Sequence, residues 1–255
     1  MDPDATANGA GPAGAPPRET ADIETSSAGY AARFAGPAGE WMLSVQGRIV
    51  TGWLAETPGA SVLDVGGGHG QLATPLADAG HAVTVFGSDE ACADGIAAEI
   101  GAGRIRFAAG DLLALPFPDR SFDTAVSIRL LPHCARWPAL VAELCRVARR
   151  SVIVDYPALY SVNLFAGALF GAKKKIEKNT RPFTLFRHAG VAAEFVRHGF
   201  RIHRRRAEFF LPMVLHRVLG RPGLSAALEG LCRGLGLTAL AGAPVLVGAR
   251  RGGAA

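Results

Sequence analysis

The 255-residue sequence contains only four cysteines, and no two of them have the spacing of a metal-binding or redox-active pair. They lie far apart in the chain, at Cys92, Cys134, Cys145 and Cys232. This pattern argues against a disulfide framework and against a zinc site, and it favours a reducing compartment. We therefore expect neither disulfides nor a bound metal.

The N-terminus lacks the basic segment and the apolar core of a secretory signal peptide. An uncharged stretch at residues 156–172 spans 17 residues but contains Pro, Ser, Asn and Gly. It is too short and too polar for a convincing membrane span, which needs about 20 apolar residues. We expect a cytoplasmic protein, with transient contact to a membrane surface left open.

Charge is distributed unevenly along the chain. Residues 1–120 hold 6 Lys or Arg against 15 Asp or Glu, whereas residues 121–255 hold 21 against 7. The basic half could meet an anionic substrate, a membrane surface or RNA, or it could be an arginine-rich solvated surface.

A glycine-rich stretch at residues 62–70 reads Val-Leu-Asp-Val-Gly-Gly-Gly-His-Gly. The short apolar segment at its start suits a central parallel strand. Glycine allows positive φ and lets a ligand approach the bare backbone. A helix predicted to begin near Gln71 would point free N–H groups and a positive dipole end at that ligand. A strand, a tight loop and a helix are therefore predicted here.

The glycine spacing separates two cofactor classes. A dinucleotide-binding loop, Gly-x-Gly-x-x-Gly, would need its third glycine at position 71, where this chain has Gln71. The pattern Asp64-x-Gly66-x-Gly68-x-Gly70 instead resembles motif I of the class I S-adenosylmethionine (SAM)-dependent methyltransferases. By itself such a loop could also be a plain tight crossover.

A second segment makes the resemblance specific. Residues 110–123 read Gly-Asp-Leu-Leu-Ala-Leu-Pro-Phe-Pro-Asp-Arg-Ser-Phe-Asp, very like the "GD…LPFPD.SFD" segment of that family. The resemblance implies that Asp111 accepts a hydrogen bond from the adenine amino group and that Leu112 flanks the ring. It is strong over residues 59–155 and general over residues 156–250.

The chain departs from the family pattern at the end of its second predicted strand. The family usually has an acid there that grips both ribose hydroxyls, but this chain has Gly87, and its first acid, Asp89, comes two residues late. Asp89 could reach back to the ribose, Ser88 and the backbone could bind it, or Asp89 could cap the next helix.

The resemblance implies an α/β fold, a doubly wound seven-stranded sheet of order 3-2-1-4-5-7-6 with its last strand antiparallel. The strands are predicted at residues 61–65, 82–86, 105–109, 122–128, 151–155, 200–210 and 243–250. Residues 1–27 have the composition of a disordered tail. Residues 28–255 form the methyltransferase domain, with residues 156–188 as a helical cap after strand five and two short helices within residues 213–240.

The implied reaction is direct transfer of the SAM methyl group to an acceptor nucleophile, with S-adenosylhomocysteine leaving. The cofactor contacts that we expect are Asp64, Gly66, Gly67, Gly68, Gly70, Ser88, Asp89, Gly110, Asp111, Leu112 and Arg129. His133, just beyond strand four, is the candidate on the acceptor side, because imidazole titrates near neutral pH. It could instead order its loop.

The uncharged stretch supplies three candidate lid residues, Tyr156, Phe165 and Phe170. An apolar helix here could be simply buried, close over a hydrophobic acceptor, or rest at a membrane interface beside the lysines at 173–175. We favour the lid, because it also excludes water during transfer. The acceptor is then a small, largely apolar molecule such as a lipid, quinone-like or polyketide-like compound.

Two other functions stay open. The basic half is compatible with an RNA methyltransferase on the same fold, although the chain shows neither an appended RNA-binding domain nor an Asn-Pro-Pro-Tyr-like motif. We expect no nucleic-acid partner. The other function is that of a non-catalytic SAM-binding scaffold, because His133 does not prove turnover.

Overall fold

A computed structural model describes residues 18–161 and 183–253. Within these ranges the chain forms a seven-stranded sheet with apolar layers on both faces, and the predicted doubly wound α/β fold is confirmed. The strands are Ser61–Val65 (β1), Ala82–Gly87 (β2), Ile105–Ala109 (β3), Phe122–Ser127 (β4), Ala148–Tyr156 (β5), Phe200–Phe209 (β6) and Ala243–Arg251 (β7).

Helices connect these strands. The α-helices are Ala21–Thr25 (α1), Ala28–Ala31 (α2), Pro37–Leu54 (α3), Ala73–Asp78 (α4), Ala97–Gly101 (α5), Trp137–Val147 (α6), His188–Arg197 (α7), Met213–Leu219 (α8), Pro222–Gly234 (α9) and Leu237–Ala241 (α10). Short 3₁₀ helices lie at Ala32–Phe34, Glu90–Ile96 and Leu131–His133. Among the helices of the two described ranges, none has the length and apolarity to cross a membrane.

The strand order is β3-β2-β1-β4-β5-β7-β6, as predicted, and β7 runs antiparallel to both of its neighbours. The central strand β1 pairs in parallel with β2 on one side and with β4 on the other. The winding of the chain reverses between β1 and β4, and ligands of doubly wound sheets bind outside the carboxyl ends of the strands at such a point. The loops after β1, β2, β4 and β5 meet there.

Both faces of the central strand are buried. Leu63 and Val65 belong to the apolar layer that includes α6, whereas Val62 belongs to the opposite layer with α3 and α4. All three side chains are fully buried. Burial on both faces explains why β1 is almost continuously apolar, and each such side chain contributes about 1.5–3 kcal/mol relative to exposure. Asp64 is the polar residue that interrupts this run.

The C-terminal segment differs in detail from its prediction. Residues 213–240 form three helices rather than two, because glycines in the left-handed region separate them. Gly220 has φ +59° at the end of α8, and Gly236 has φ +76° before α10. Glycine adopts this conformation without the steric cost that a Cβ brings, and it commonly ends a helix.

The prediction of a disordered tail is wrong for the last residues of the range 1–27. Residues 1–17 lie outside the described residues, but α1 is helical, with Ala21, Asp22 and Thr25 buried. Composition alone did not predict this helix, because a polar contact between Asp22 and the end of β2 holds it in addition to apolar packing. Residues 18–36, which include α1 and α2, are called the N-terminal cover below.

Much of the predicted cap, including Phe165 and Phe170, lies outside the described residues. Tyr156 is described, and its assignment to a lid is wrong: it is the last residue of β5 and is fully buried. Its hydroxyl lies 2.7 Å from Nδ1 of His188, and burial raises the pKa of Tyr156 to about 12. The strand predicted at residues 151–155 thus extends one residue further, to Tyr156.

Gly39, near the start of α3, lies against the backbone of the N-terminal cover. A Cβ at position 39 would lie 2.1 Å from the carbonyl oxygen of Phe34. We expect Gly39→Ala to lower the free energy of unfolding by about 1–3 kcal/mol, because the backbone of the cover must shift. Urea unfolding followed by circular dichroism measures this change.

The matched control is Gly47→Ala in the middle of the same helix. No described atom beyond the neighbouring helix backbone comes within 4 Å of a Cβ at this position. Alanine there should raise the free energy of unfolding by about 0.5–1 kcal/mol, through its higher helix propensity. Effects of the same sign at both positions would contradict the close contact at Gly39.

Candidate functional site

The glycine loop, residues 66–70, follows β1 at the centre of the sheet. Gly66 and Gly70 have φ of +80° and +71°, in the region that favours glycine. Gly68 is not among the positive-φ glycines of the described ranges, so its conformation alone does not demand glycine. Glycine is needed at this position for lack of space, because a Cβ on Gly68 would lie 2.1 Å from the carbonyl oxygen of Cys92.

Asp64 lies beneath this loop with its side chain buried. A Cβ on Gly67 would lie 2.0 Å from Oδ2 of Asp64, so the carboxylate lies directly against the loop backbone. Neither of its oxygens has a hydrogen-bond partner among the described residues. Burial raises the pKa of Asp64 to about 7, although the positive charge of Arg129 opposes this shift. An unpartnered buried carboxylate is costly, and a cationic or hydrogen-bonding ligand would satisfy it.

Arg129 reaches the loop from the segment that follows β4. Its φ is +62°, which is unusual for a non-glycine residue, and its backbone N–H donates to Oδ1 of Asp155 at 2.6 Å. Its guanidinium lies 3.0 Å from Nε2 of His69 and donates to Oε1 of Gln71. The Nε atom of Arg129 is buried without a partner in the described part of the chain.

The N-terminal cover packs over this guanidinium. The Cζ atom of Arg129 is 4.7 Å from the ring centroid of Phe34 and 5.6 Å from that of Tyr30, both within cation–π range. Burial lowers the pKa of Arg129, and burial together with the Arg129 charge lowers the pKa of His69 well below its usual value. Since a guanidinium can only donate, a neutral His69 accepts from it through a ring nitrogen.

A buried hydrogen-bond network continues from Arg129 to the far strands. Nε2 of Gln46, on α3, lies 3.2 Å from Oδ2 of Asp155 and 2.7 Å from Oε1 of Glu208, as donor to both. Nε2 of Gln71 donates to Oε1 of Gln46 at 3.0 Å. We call this set the polar cluster; its members are Gln46, His69, Gln71, Arg129, Asp155 and Glu208.

The two acids of the polar cluster are fully buried. Burial raises the pKa of Asp155 to about 6, and burial plus the charge of Asp155 raises the pKa of Glu208 well above its usual value. The sequence did not reveal this pair. The available signal was Gln46, a polar residue at helical spacing within the otherwise apolar face of α3, between Val45 and Ile49.

The end of β2 shows one of the alternatives left open for its late acid. Asp89 is exposed, and its Oδ1 accepts a hydrogen bond from the backbone N–H of Ala91 at 2.9 Å, so it caps the 3₁₀ helix. This cap uses one carboxylate oxygen, and the contact of Asp89 with a cofactor stays a prediction. Ser88 is buried, and its backbone N–H donates to Oδ2 of Asp22 at 2.6 Å.

The segment predicted to hold a purine ring lies beside the end of β2. The backbone N–H of Gly110 donates to the carbonyl of Gly87 at 2.9 Å. Leu112 is buried, whereas Asp111 is half-buried and accepts from the backbone N–H of Leu113 at 2.9 Å. The structure thus brings Gly110, Asp111 and Leu112 to the same edge as the glycine loop.

His133 ends the 3₁₀ helix Leu131–His133 after β4 and is half-buried. Its ring centroid is 5.6 Å from that of Phe183, which is 62% exposed. The backbone N–H of Thr184 donates to the carbonyl of Pro132 at 2.9 Å. The C-terminal part of the predicted cap, at Phe183 and Thr184, therefore lies beside His133.

Metal and thiol chemistry find no support in the described ranges. No group of three or more His, Cys, Asp or Glu side chains within residues 18–161 and 183–253 could hold a metal ion. Burial raises the pKa of both Cys134 and Cys145 to about 12, so these thiols stay protonated at neutral pH.

Five arginines of the basic half lie together at the opposite edge of the sheet. A groove of about 550 Å³ is lined there by Arg149, Arg150, Arg204, Arg250 and Arg251, among others. Glu56 pairs with Arg204 and Arg250, and Asp123 pairs with Arg149 at 2.9 Å. Two carboxylates therefore offset part of the charge of these five arginines, and the groove lies away from the glycine loop.

The region built around the glycine loop matches a known family. Residues 62–151, from β1 into β5, match the family described as "Methyltransferase domain". This match falls on the same part of the chain in which the glycine loop and residues 110–123 resemble the class I SAM-dependent methyltransferases.

Particular relatives are similar over part of their length. The demethylmenaquinone methyltransferase of Deinococcus radiodurans is 35% identical over 126 residues, which cover 47% of this chain and 49% of that protein. The ubiquinone/menaquinone biosynthesis C-methyltransferase UbiE of Paracoccus denitrificans is 39% identical over 103 residues, covering 38% and 41%. The chain thus spans about half or less of the length of these curated relatives.

A solved structure extends the likeness across the whole fold. Magnesium protoporphyrin IX methyltransferase from Synechocystis PCC 6803, with S-adenosylhomocysteine (SAH) bound, superposes with a TM-score of 0.62. The match covers 89% of this chain and 96% of that one at 19% identity. At this identity the similarity establishes a shared fold.

Asp64 should make the stability of the ligand-free protein depend on pH. Its pKa is about 7 when folded and about 4 when unfolded, so folding takes up a proton between these values. Its carboxyl therefore destabilises the fold progressively as pH rises from about 4 to 7. We expect Asp64→Asn to raise the melting temperature by several degrees at about pH 8 and to flatten its decline with pH.

Scanning calorimetry between about pH 5 and pH 8 measures this slope. The exposed Asp94 provides the matched control, and Asp94→Asn should keep the wild-type slope. Asp155 and Glu208 shift in the same direction, so some slope should remain in Asp64→Asn. An unchanged slope in Asp64→Asn would contradict the desolvated state of this carboxyl.

Proposed function

We propose that the chain is a SAM-dependent methyltransferase that methylates a ring carbon of a small, largely apolar acceptor of the quinone type. The observation that carries the proposal is a set of buried polar atoms, around the glycine loop, without partners in the described part of the chain. They are both carboxylate oxygens of Asp64, Oγ of Ser88 and Nε of Arg129. Such atoms are rare in folded proteins unless a ligand satisfies them.

The chemistry of these groups fits SAM. Its methionine end carries an ammonium and a carboxylate, which Asp64 and Arg129 would hold by charge-assisted hydrogen bonds. Asp111 and Leu112 would receive the adenine, and the glycines at 66–68 leave room for close approach to the backbone. Bound SAM would supply an electrophilic methyl group on a sulfonium.

The surrounding residues hold this site in place. The hydrogen bond from the Arg129 backbone to Asp155 fixes the segment after β4, and Gln46 ties Asp155 to the glycine-loop side through Gln71. The N-terminal cover excludes water over the guanidinium. Methyl transfer needs the acceptor atom aligned with the methyl carbon and the sulfur, and a rigid frame supplies this positioning.

An apolar acceptor suits the aromatic surface next to His133. Phe183, whose ring lies beside His133, and Tyr160 both belong to the predicted cap, and they are 62% and 66% exposed. The two curated relatives are named for methylation of quinones. A ring carbon of a quinol becomes methylated when its C–H proton leaves, so a base on the acceptor side is useful. His133 is proposed for that role, and Phe165 and Phe170 remain proposed lid residues.

An RNA acceptor is less favoured by the charge distribution. Five arginines of the basic half line a groove at the opposite edge of the sheet from the glycine loop, and several of them are paired with Glu56 or Asp123. A nucleic acid bound by these arginines would therefore not be directed towards the proposed methyl group.

Two measurements test the proposal. Calorimetry should show SAM binding by the wild type, and Gly68→Val should weaken it at least about tenfold, because its side chain would collide with the Cys92 carbonyl. Radiolabelled SAM should then label a prenylated naphthoquinol that has a free ring carbon. Label in RNase-sensitive material instead would favour the RNA enzyme, and binding without transfer to any extract fraction would favour the scaffold.

His133→Gln tests the acceptor side separately. Glutamine keeps hydrogen-bonding capacity but does not titrate, so we expect lower turnover of the naphthoquinol with SAM affinity unchanged. Initial rates between about pH 6 and pH 9 and calorimetric SAM affinities measure the two effects. Wild-type turnover across this whole pH range in the variant would remove His133 from the mechanism.

A further inference from the structure

We propose that Asp22 of the N-terminal cover supplies the ribose-binding carboxylate that the end of β2 lacks. The inference rests on the proposed binding of SAM and names a residue that comes from outside the matched methyltransferase domain. It assigns a ligand-binding role to α1. Asp22 on this helix contacts Ser88, which follows β2 and lies 66 residues later in the chain.

Asp22 lies between the ends of β1 and β2. Its side chain is fully buried, and its Oδ2 accepts from the backbone N–H of Ser88 at 2.6 Å. Its Cβ is 3.6 Å from the position that a Cβ on Gly66 would occupy. Sγ of Cys92 is 3.5 Å from the same carboxylate oxygen. A carboxylate is thus present where the resembling family places one, although it arrives from another element.

The second carboxylate oxygen is available to a ligand. Oδ1 of Asp22 is buried and has no hydrogen-bond partner among residues 18–161 and 183–253, and the same holds for Oγ of Ser88. A carboxylate can accept several hydrogen bonds, and a hydroxyl can both donate and accept. The vicinal hydroxyls of a ribose offer two donors, which matches these two unsatisfied oxygens.

A purely structural role for Asp22 explains less. If Asp22 served only to fasten the N-terminal cover, one buried carboxylate oxygen would remain desolvated without compensation. The cover already has a second attachment to the same residue, because Nη2 of Arg18 donates to the carbonyl of Ser88 at 2.9 Å. Asp89 caps Ala91 through Oδ1 and is exposed, whereas Asp22 is buried beside the end of β2.

The experiment measures how each variant discriminates between SAH and its 2′-deoxy and 3′-deoxy analogues by calorimetry. The wild type should bind each deoxy analogue roughly 10–100-fold more weakly than SAH, because a hydrogen bond to a charged group is lost. Asp22→Asn should bind SAH at least about tenfold more weakly and lose most of this discrimination. Such coupling between a side chain and a ligand group reports direct contact.

Asp89→Asn is the matched control, and it should discriminate among the three ligands as the wild type does. Ser88→Ala keeps the proposal testable if Asp22→Asn fails to fold; it should lose discrimination against one deoxy analogue. Circular dichroism establishes that each variant is folded.

The failures of the two proposals are distinguishable. A folded wild type that does not bind SAH overturns the proposed function and this inference together. A wild type that binds SAH, with full discrimination retained in Asp22→Asn or Ser88→Ala, overturns the role of Asp22 alone. Tighter binding of SAH by Asp22→Asn would mean that Asp22 blocks the site, and this too would overturn the inference.

Discussion

The guanidinium of Arg129 is the interaction on which the site depends. It lies where β4 leaves the sheet, and it contacts His69 in the glycine loop, Gln71 just after that loop and Phe34 in the N-terminal cover. The left-handed backbone of Arg129 is held by Asp155. Strain of this kind, of order 1–3 kcal/mol, persists when neighbouring contacts determine the conformation fully.

The same region contains three buried carboxyl groups whose desolvation is unfavourable. Asp64, Asp155 and Glu208 are all buried, and desolvation raises the pKa of each. A core built only for stability would carry apolar residues at these positions. Binding sites commonly retain such unfavourable groups, because their cost is offset when a complementary ligand arrives. The stability lost here is therefore consistent with selection for recognition.

The features that could be predicted from the sequence are those set by local residue pattern and motif spacing. The bounds of β1 and β3 agree with prediction to the residue, and the strand order follows from the resemblance. The contact between Asp22 and Ser88 was missed, because it joins positions 66 residues apart and leaves no periodic signal. Glu208 was missed for a similar reason: it lies in an arginine-rich strand whose inward face becomes apparent only after the strands pair.

The antiparallel pairing of β5 with β7 has a consequence for how the chain can be divided. The matched methyltransferase domain ends at residue 151, near the start of β5. A fragment cut there would remove most of β5 and all of β7, and it would leave β4 as an unprotected edge available for intermolecular pairing. It would also lose Asp155, which accepts a hydrogen bond from the backbone of Arg129, and Glu208, which accepts one from Gln46 in the polar cluster. The boundary of the family match therefore falls inside the sheet, and the strands beyond it cover the edge that β4 would otherwise expose.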